Sequence, residues 1–228
     1  FYGKEMRVLT DAKRITTVEY DKMFPCHTAW DLGYSDDTAI WWYQVVYGEL
    51  RILDYHSSNG HQVSYYTDLI SSKEQEFGYK YGYHYLPHDA RAKTLASGGK
   101  SIIEQISSKI PLNKLKIVPS LSLQDGIQAT RLALMRSWFD AEKCQDGIEC
   151  LRQYQREYDE DKKVFRDKPK HDWTSHGADA FRMLAIAWKE EDKTTPKDNS
   201  IRGIVVGKNE ATLNDLWKTQ APKPSGRI

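Results

Sequence analysis

The sequence predicts an α/β domain built on a mixed central β-sheet, with helices on both faces. Three apolar segments follow one another near the start and are separated only by short turns, which indicates antiparallel strands. Further along, segments with helical spacing alternate with short apolar segments, which favours parallel strands joined by helices. A chain of 228 residues, 39% apolar with seven Trp and fourteen Tyr, can form the core of one such domain.

The overall charge and the cysteines narrow the classes of function. The formal net charge is +1, so any contact with a nucleic acid has to come from local groups of basic residues. Cys26, Cys144 and Cys150 show no CxxC spacing, which is typical of reduced thiols rather than of a disulfide framework. No stretch approaches the roughly 20 apolar residues needed to cross a bilayer, so we expect no membrane partner.

The first predicted elements are three strands, preceded by a polar segment of residues 1–24 whose role the sequence does not reveal. A short strand candidate lies at 16–20 within that segment. The three strands are predicted at 27–32, 38–47 and 50–56, with Gly48 and Glu49 as the hairpin link between the last two. Together they form the antiparallel part of the sheet.

Helices and strands alternate from residue 61 to residue 190. The first helix is indicated by Val63, Tyr66 and Ile70 at helical spacing, and Gly78 is a suitable stop. The predictions are, in order, helix 61–78, strand 83–87, helix 101–109, strand 114–119, helix 123–139, a helix ending near 158, a charged hairpin or loop at 159–170, and helix 173–190. Polar residues and Pro dominate afterwards, so we expect a globular domain over 25–190 and a linker-like tail over 191–228.

Three aspartates are placed where this sheet would bring them together. Asp31 ends the first strand, Asp89 follows the fourth, and Asp179 lies in the first turns of the last helix. If the first and fourth strands are parallel neighbours, Asp31 and Asp89 project from the same C-terminal edge, where ligands bind in open α/β sheets. The last helix, packed across the sheet, would bring Asp179 to them.

Such a group of acids indicates a divalent metal. Three close carboxylates repel one another and raise each other's pKa values unless a cation neutralises them. Oxygen ligands without a Cys/His cluster favour Mg²⁺ or Mn²⁺ over Zn²⁺. Two such ions about 4 Å apart are a common device for in-line attack of water on a phosphodiester. The sequence therefore predicts two-metal-ion hydrolysis at this edge.

At these acids the sequence resembles the nuclease domain of the bacteriophage terminase large subunit. The matching segments are Asp31-Leu-Gly-Tyr-Ser-Asp-Asp-Thr-Ala-Ile, Leu86-Pro-His-Asp-Ala and Ser175-His-Gly-Ala-Asp-Ala-Phe-Arg. The resemblance covers about residues 20–190 and keeps the order and spacing of the three acidic motifs. It implies an RNase H-like (RuvC-like) fold and cleavage of concatemeric double-stranded viral DNA, with Asp31, Asp89 and Asp179 as the metal-binding catalytic acids.

The resemblance also implies partners and a location. Terminase large subunits carry an N-terminal packaging ATPase and act with a small terminase subunit and the portal of the procapsid, in the host cell cytoplasm. A glycine-lysine candidate, Gly99-Lys100-Ser101, has Thr94 where a phosphate-binding Walker A loop needs its first glycine. We therefore expect the nuclease half of such a protein, without the ATPase. We also expect little sequence specificity, because no segment resembles a base-reading helix.

Residues beside the three acids have two interpretations each. His176, one helical turn before Asp179, is expected to contact a phosphate or orient a ligand, or else to cap or pack the start of the helix. Arg182 is expected to contact a phosphate or to pair with an acid. His88 is interpreted as a supporting or structural residue beside Asp89.

Other charged residues are assigned more ordinary roles or a role in DNA binding. Asp36 and Asp37 are interpreted as turn residues, and Asp172 as an acid that precedes the last helix. Candidate contacts to DNA phosphates lie at a helix start and in the charged hairpin, where a solvated surface is the alternative interpretation. These candidates are Lys100, Ser101, Lys162, Lys163, Arg166, Lys168 and Lys170.

Three other classes of protein share part of this pattern. A Holliday-junction resolvase or transposase core would use the same chemistry, but the third motif resembles that of terminases. Actin-like and sugar-kinase ATPases share the hairpin with Asp-x-Gly, yet they need a second Gly-rich phosphate loop and a duplicated domain. A non-catalytic docking module with the same fold remains an alternative, against which the presence of all three acids argues.

Overall fold

The computed structural model describes residues 1–33, 36–93 and 99–194, with side chains as far as Lys189. The chain divides into two compact units, Phe1–Asp192 and Lys193–Ile228. The helices are α1 (Gly3–Asp11), α2 (Val63–Phe77), α3 (Ile102–Ile106), α4 (Leu123–Leu134), α5 (Gln145–Gln153) and α6 (Trp173–Thr194). The strands are β1 (Ile15–Thr16), β2 (Cys26–Asp31), β3 (Thr38–Val46), β4 (Glu49–Ser58), β5 (Tyr81–Leu86), β6 (Leu115–Ile117), β7 (Ser137–Asp140), β8 (Arg156–Asp159) and β9 (Val164–Pro169).

The central sheet is mixed, as the sequence predicts. It has seven strands in the order β1-β7-β4-β3-β2-β5-β6, and β8 and β9 form a separate hairpin. Strand β3 is antiparallel to β2 and to β4, whereas the other pairs in the sheet are parallel. The link between β3 and β4 is Tyr47-Gly48 rather than Gly48-Glu49. Both of these residues have positive φ, 52° and 80°, as a two-residue hairpin turn requires.

Hydrophobic layers cover both faces of the sheet. On one face Trp41 and Ile52 pack with residues of α1, α4, α5 and α6. On the other face Trp42 and Leu53 pack with residues of α2 and α3. Successive side chains of a strand point to opposite faces, so the adjacent Trp41 and Trp42 are buried in different layers. The predicted α/β architecture, with helices on both faces, is confirmed.

Residues 1–24, whose role the sequence left open, contribute α1 and β1 to the main unit. Tyr2, Met6 and Leu9 recur at helical spacing, and all three are buried in the core. Strand β1 is only Ile15–Thr16 and pairs in parallel with β7, whereas the sequence suggested a strand at 16–20. The N-terminal segment is therefore part of the folded unit.

Two helix boundaries predicted from the sequence are wrong. The helix expected over 123–139 ends at Leu134, and residues 137–140 form β7 between β1 and β4. In β7 the side chains of Trp138 and Phe139 pack in opposite layers, which is the alternation of a strand rather than the spacing of a helix. Likewise α5 ends at Gln153 rather than near 158, because β8 begins at Arg156.

Membrane insertion has no support in the helices. Of those in the described part of the chain, none combines the length and the apolar character that crossing a bilayer requires.

Candidate active site

Asp31 is the last residue of β2, and its side chain is 25% exposed at the C-terminal edge of the sheet. The turn that follows is closed by Thr38, whose hydroxyl donates to the carbonyl oxygen of Gly33 (2.7 Å) and accepts from the Gly33 N–H (3.1 Å). A Cβ atom on Gly33 would lie 2.5 Å from the carbonyl oxygen of Asp36, so this turn requires glycine. The tight turn therefore fixes the end of the strand that carries Asp31.

Asp89 lies at the same edge of the sheet as Asp31. Strand β5 runs parallel to β2, with Ala29 opposite Tyr85, and Asp89 follows in the 3₁₀ turn His88–Arg91. The predicted adjacency of these two strands is thus present. The side chains of His88 and Asp89 are exposed, and neither forms a hydrogen bond or an ion pair with another described residue. The fold brings the backbone of Asp89 to the edge without joining its carboxylate to Asp31.

Asp179, in α6, is held by two side chains. Its Oδ1 accepts a hydrogen bond from the Tyr154 hydroxyl (3.1 Å) and pairs with Nη1 of Arg182 (3.1 Å). Burial raises the pKa of Asp179, the positive charge of Arg182 lowers it, and the negative charge of Asp31 raises it further. The carboxylates of Asp31 and Asp179 are therefore close enough to interact.

Gly177 allows α6 to approach the sheet closely. Its carbonyl oxygen accepts a hydrogen bond from Nε1 of the buried Trp41 (2.8 Å). A Cβ atom on Gly177 would lie 2.8 Å from both the Cys150 Cβ and the Tyr55 hydroxyl. The glycine within the third motif thus has a packing reason, and it brings the first turns of α6 to the sheet edge.

His176 is the residue that links α6 to Asp31. Its Nδ1 lies 3.4 Å from Oδ2 of Asp31, and its side chain is only 12% exposed. The hydrogen bond to Asp31 is the main cause that raises the pKa of His176, with smaller contributions from Asp37 and Asp36. Of the two roles that the sequence left open for His176, the contact with an acid is the one seen.

The remaining acids near the edge have distinct partners. Asp37 accepts hydrogen bonds from Ser57 Oγ and Asn59 Nδ2, each 2.7 Å long, so it ties the start of β3 to the end of β4. Asp172 precedes α6 and accepts from both the N–H (3.0 Å) and the hydroxyl (2.6 Å) of Thr174. Both are structural roles of the kind predicted from the sequence.

Asp36 belongs to a second group of polar residues. Its Oδ2 lies 3.5 Å from Nε2 of His171, and the ring of His171 packs edge-on against that of His176. One ligand atom from each of Asp36, His171 and His176 lies within 4.8 Å of the other two. No other trio of acids, histidines or cysteines in the described residues, Asp31, Asp89 and Asp179 included, is as closely grouped.

The donor chemistry at Asp31 and Asp179 fits a hard divalent cation. Two carboxylates from different elements repel each other here, and no described residue forms a hydrogen bond with Oδ2 of Asp179. Carboxylate oxygens with unused lone pairs are the donors that Mg²⁺ and Mn²⁺ take. Asp89 adds a third, exposed carboxylate at the same edge.

The candidate DNA contacts are of two kinds. Ser101 caps α3 in a capping box, and its N–H and hydroxyl both contact the Glu104 carboxylate, while Lys100 stands just before it. Residues 94–98, the start of the suggested phosphate loop, lie outside the described residues. In the β8–β9 hairpin Arg166 pairs with Asp159 and Glu157.

The hairpin lysines differ in their surroundings. Lys162, Lys163 and Lys168 are exposed and form no ion pair with any described residue, so they are available to a polyanion. Lys170, in contrast, lies 3.5 Å from Asp172.

Two residues of the site were not found from the sequence. Tyr154 follows α5 and contacts Asp179 across 25 positions of sequence. His171 is separated from Asp36 by most of the chain. Neither contact has a sequence spacing that would reveal it, because both depend on how α6 packs.

The fold is that of large-terminase nuclease domains. The nuclease domain of the bacteriophage SPP1 large terminase, solved with bound Mn, matches with a TM-score of 0.53 and 11% identity over 77% of this chain and 94% of its own. The P22 large terminase nuclease domain matches with a TM-score of 0.53 and 15% identity over 78% and 89%. The RNase H-like fold implied by the sequence resemblance is thus confirmed.

A longer structure matches over part of its length. The large terminase of a thermophilic bacteriophage has a TM-score of 0.58 and 17% identity over 79% of this chain. The match spans 43% of that longer terminase. No family sequence model matches this chain, and no curated protein sequence does either.

Proposed function

We propose that this chain is the metal-dependent endonuclease domain of a viral terminase large subunit. It would hydrolyse phosphodiester bonds of double-stranded DNA with little sequence specificity. The observation that carries the proposal is the pair of interacting carboxylates, Asp31 and Asp179, at the C-terminal edge of a sheet with the terminase-nuclease fold. The acids come from a strand end and a helix that Gly177 packs tightly, so their positions are rigid.

Mg²⁺ or Mn²⁺ is the proposed cofactor, as two ions held by Asp31, Asp89 and Asp179. When bound, such a pair supplies an activated water and stabilises the leaving oxygen of the phosphodiester. The Mn bound to the SPP1 nuclease domain supports the class of ion. Asp31 and Asp179 offer carboxylate oxygens from two sides of the site, and Asp89 offers a third from the neighbouring strand.

The surrounding residues orient these ligands. Tyr154 and Arg182 both bind Oδ1 of Asp179, which directs its Oδ2 away from them. His176 holds Oδ2 of Asp31. In the proposal these contacts set the direction of each carboxylate before DNA arrives, which limits the reorganisation needed in the reaction.

DNA would be held through its backbone. Lys162, Lys163 and Lys168 extend from the β8–β9 hairpin, which precedes α6 by only a few residues. Contacts of this kind go to phosphates and carry no sequence information. The proposed weak sequence preference follows from that, and the choice of cutting position would belong to other packaging components.

The proposed partners follow from the same assignment. The large terminase of the thermophilic bacteriophage is more than twice the length matched here and has been solved with ADP, which supports a packaging ATPase in the rest of the polypeptide. A small terminase subunit and the portal of the procapsid are further proposed partners, with the host cell cytoplasm as the location. Residues 191–228 are proposed as a linker-like tail.

Cleavage of supercoiled plasmid tests the proposal. With Mn²⁺ or Mg²⁺ we expect nicked and then linear DNA, and with EDTA we expect neither. Redigestion of the linear product with a single-site restriction enzyme should give a smear rather than discrete bands, because cutting is not sequence-specific. Cleavage that persists in EDTA, or an intact plasmid with both ions, would contradict the proposal.

A further inference from the structure

The group formed by Asp36, His171 and His176 lies beside the acidic site but has different chemistry. It offers two imidazoles and one carboxylate, whose ligand atoms lie within 4.8 Å of one another. Mixed nitrogen and oxygen ligands suit zinc and related transition metals, whereas oxygen-only sites suit magnesium and manganese. The group therefore differs in ligand type from the Asp31–Asp89–Asp179 site.

The distances suit a small ion after little movement. Zn–N and Zn–O bonds of about 2 Å bring tetrahedral ligand atoms to about 3.3 Å from one another. Nε2 of His171 and Oδ2 of Asp36 are already 3.5 Å apart. These two side chains are 71% and 61% exposed, so they are free to close around an ion. His176, 12% exposed, would be the fixed ligand.

Ser175 sets the tautomer of His171. The Ser175 hydroxyl donates its single proton to the carbonyl oxygen of Asp172 (2.6 Å), so it can only accept from Nδ1 of His171 (3.2 Å). Nδ1 therefore carries the proton in neutral His171, and Nε2 presents a lone pair toward Asp36. A lone pair facing a carboxylate is unfavourable unless a cation lies between them.

Asp31 does the same for His176. With Nδ1 of His176 directed to Oδ2 of Asp31 (3.4 Å), Nε2 is the nitrogen left for a ligand role. A carboxylate behind a metal-binding histidine is the common outer-shell arrangement of zinc sites, because it orients the ring and makes it more basic. Both histidines thus have an outer partner of the kind that metal ligands have.

From these contacts we infer that Asp36, His171 and His176 form a Zn²⁺ site that joins the turn after β2 to the start of α6. Three protein ligands leave a fourth position open to solvent. The site does not depend on the proposed nuclease activity, because its ligands other than His176 have no role there.

Titration with Co²⁺, which reports its coordination in the visible spectrum, tests the inference, and competition with Zn²⁺ measures affinity. We expect the intense bands of a four-coordinate site at about one equivalent, abolished by added Zn²⁺. His171→Ala and Asp36→Ala should each weaken binding at least about tenfold. Ser175→Ala should weaken it by about tenfold as well, because only the ring orientation is lost.

Matched variants separate this site from the acidic site and from adventitious binding. His61→Ala removes an exposed histidine that stacks on Tyr65, and Asp89→Ala alters the acidic site. Both should bind Co²⁺ and Zn²⁺ like the wild type. Wild-type protein without the bands, or His171→Ala protein with unchanged affinity, would overturn the inference whatever the nuclease assay shows.

Discussion

At the scale of single residues, Asp179 shows how the fold prepares a carboxylate. Burial alone would favour its protonated form, and the nearby Asp31 adds to that effect. Arg182 and Tyr154 oppose it, because a positive charge and a donated hydrogen bond both favour the ionised form. The side chain is therefore kept fixed and available for a cation by neighbours that the sequence motif only partly contains.

Replacement of Arg182 should reduce cleavage without unfolding the protein. We expect Arg182→Ala to lower the rate of plasmid nicking by about tenfold, because Asp179 loses one of its two orienting partners. Arg182→Lys should restore part of the rate. The measurement is the nicking rate at saturating Mn²⁺, together with the melting temperature of each variant.

Arg152 provides the control for Arg182. It forms a similar pair with Glu149 one turn earlier on its helix, but on the surface of α5. Arg152→Ala should cut DNA like the wild type. A rate for Arg182→Ala equal to that of Arg152→Ala would show that the Asp179 contact has no part in the reaction.

At the scale of elements, the β8–β9 hairpin is expected to contribute affinity for DNA. Lys162 and Lys163 lie in and beside its turn and are exposed. The double variant Lys162→Ala/Lys163→Ala should bind DNA more weakly and lower the slope of log K against log salt by about 1.8, since each phosphate contact contributes about 0.9. Fluorescence anisotropy with a labelled duplex at several salt concentrations measures both.

Two lysines at the opposite end of the sheet serve as the charge-matched control. Lys22 and Lys80 are exposed and precede β2 and β5, so they lie near the N-terminal ends of the strands whose C-terminal ends carry the acids. Lys22→Ala/Lys80→Ala should leave the salt slope unchanged. Equal slopes for the two double variants would mean that the hairpin does not bind phosphate.

The packing of α6 on the sheet depends on Gly177. We expect Gly177→Ala to lower the free energy of unfolding by about 1–3 kcal/mol, because the added methyl group meets Cys150 and Tyr55 at 2.8 Å. Cleavage should fall as well, since His176 and Asp179 move with the helix. Urea unfolding measures the first effect and plasmid nicking the second.

Gly3 offers the comparison for Gly177. A Cβ atom there meets nothing within 4 Å, and the residue begins α1. Gly3→Ala should leave the free energy of unfolding unchanged or raise it by up to about 1 kcal/mol. Equal stability of the two alanine variants would contradict the close approach of α6.

The sequence predicts the sheet and the acidic motifs well because their signals are local. A glycine turn after Asp31, and an acid after each of two apolar segments, can be read within a few residues. The start of β7 was missed because Leu134 and Trp138 also fit helical spacing, and only pairing with β4 decides between the two. Residues such as Tyr154 and His171 reach the site through tertiary packing, which leaves no local pattern.

At the scale of the whole molecule, stability should depend on two buried histidines in neighbouring strands. Burial lowers the pKa of His27 to about 4 and that of His84 to about 3. Each ring also has a partner that favours its neutral form: His27 Nδ1 accepts the Tyr83 N–H (3.0 Å), and His84 Nδ1 lies 2.7 Å from the Thr28 hydroxyl. Both rings therefore stay neutral in the folded protein at pH values where they are charged in the unfolded chain.

Acid should therefore destabilise the fold over a defined range. In the unfolded chain each histidine takes up a proton as the pH falls below about 6.5, whereas the folded protein takes it up only near the lowered pKa values. The two histidines keep their full contribution above about pH 6.5, and each then loses about 1.4 kcal/mol per pH unit on acidification. Urea unfolding at pH 7 and pH 5 measures the loss.

A variant assigns that loss to its source. His84→Gln removes one of the two titrating groups, so the difference between pH 7 and pH 5 should fall to about half of the wild-type value. An unchanged difference would mean that other groups cause the pH dependence.

Asp31, Asp89 and Asp179 are proposed to act together as the metal-binding centre of a nuclease, and their asparagine variants test this role most directly. The measurement is the rate of plasmid nicking with Mn²⁺, for variants whose circular dichroism and melting temperature match the wild type. We expect each variant to lose at least about a hundredfold in rate, because loss of a metal ligand removes several kcal/mol of transition-state stabilisation. Any one of the three that is folded and retains a rate close to that of the wild type would contradict the assignment.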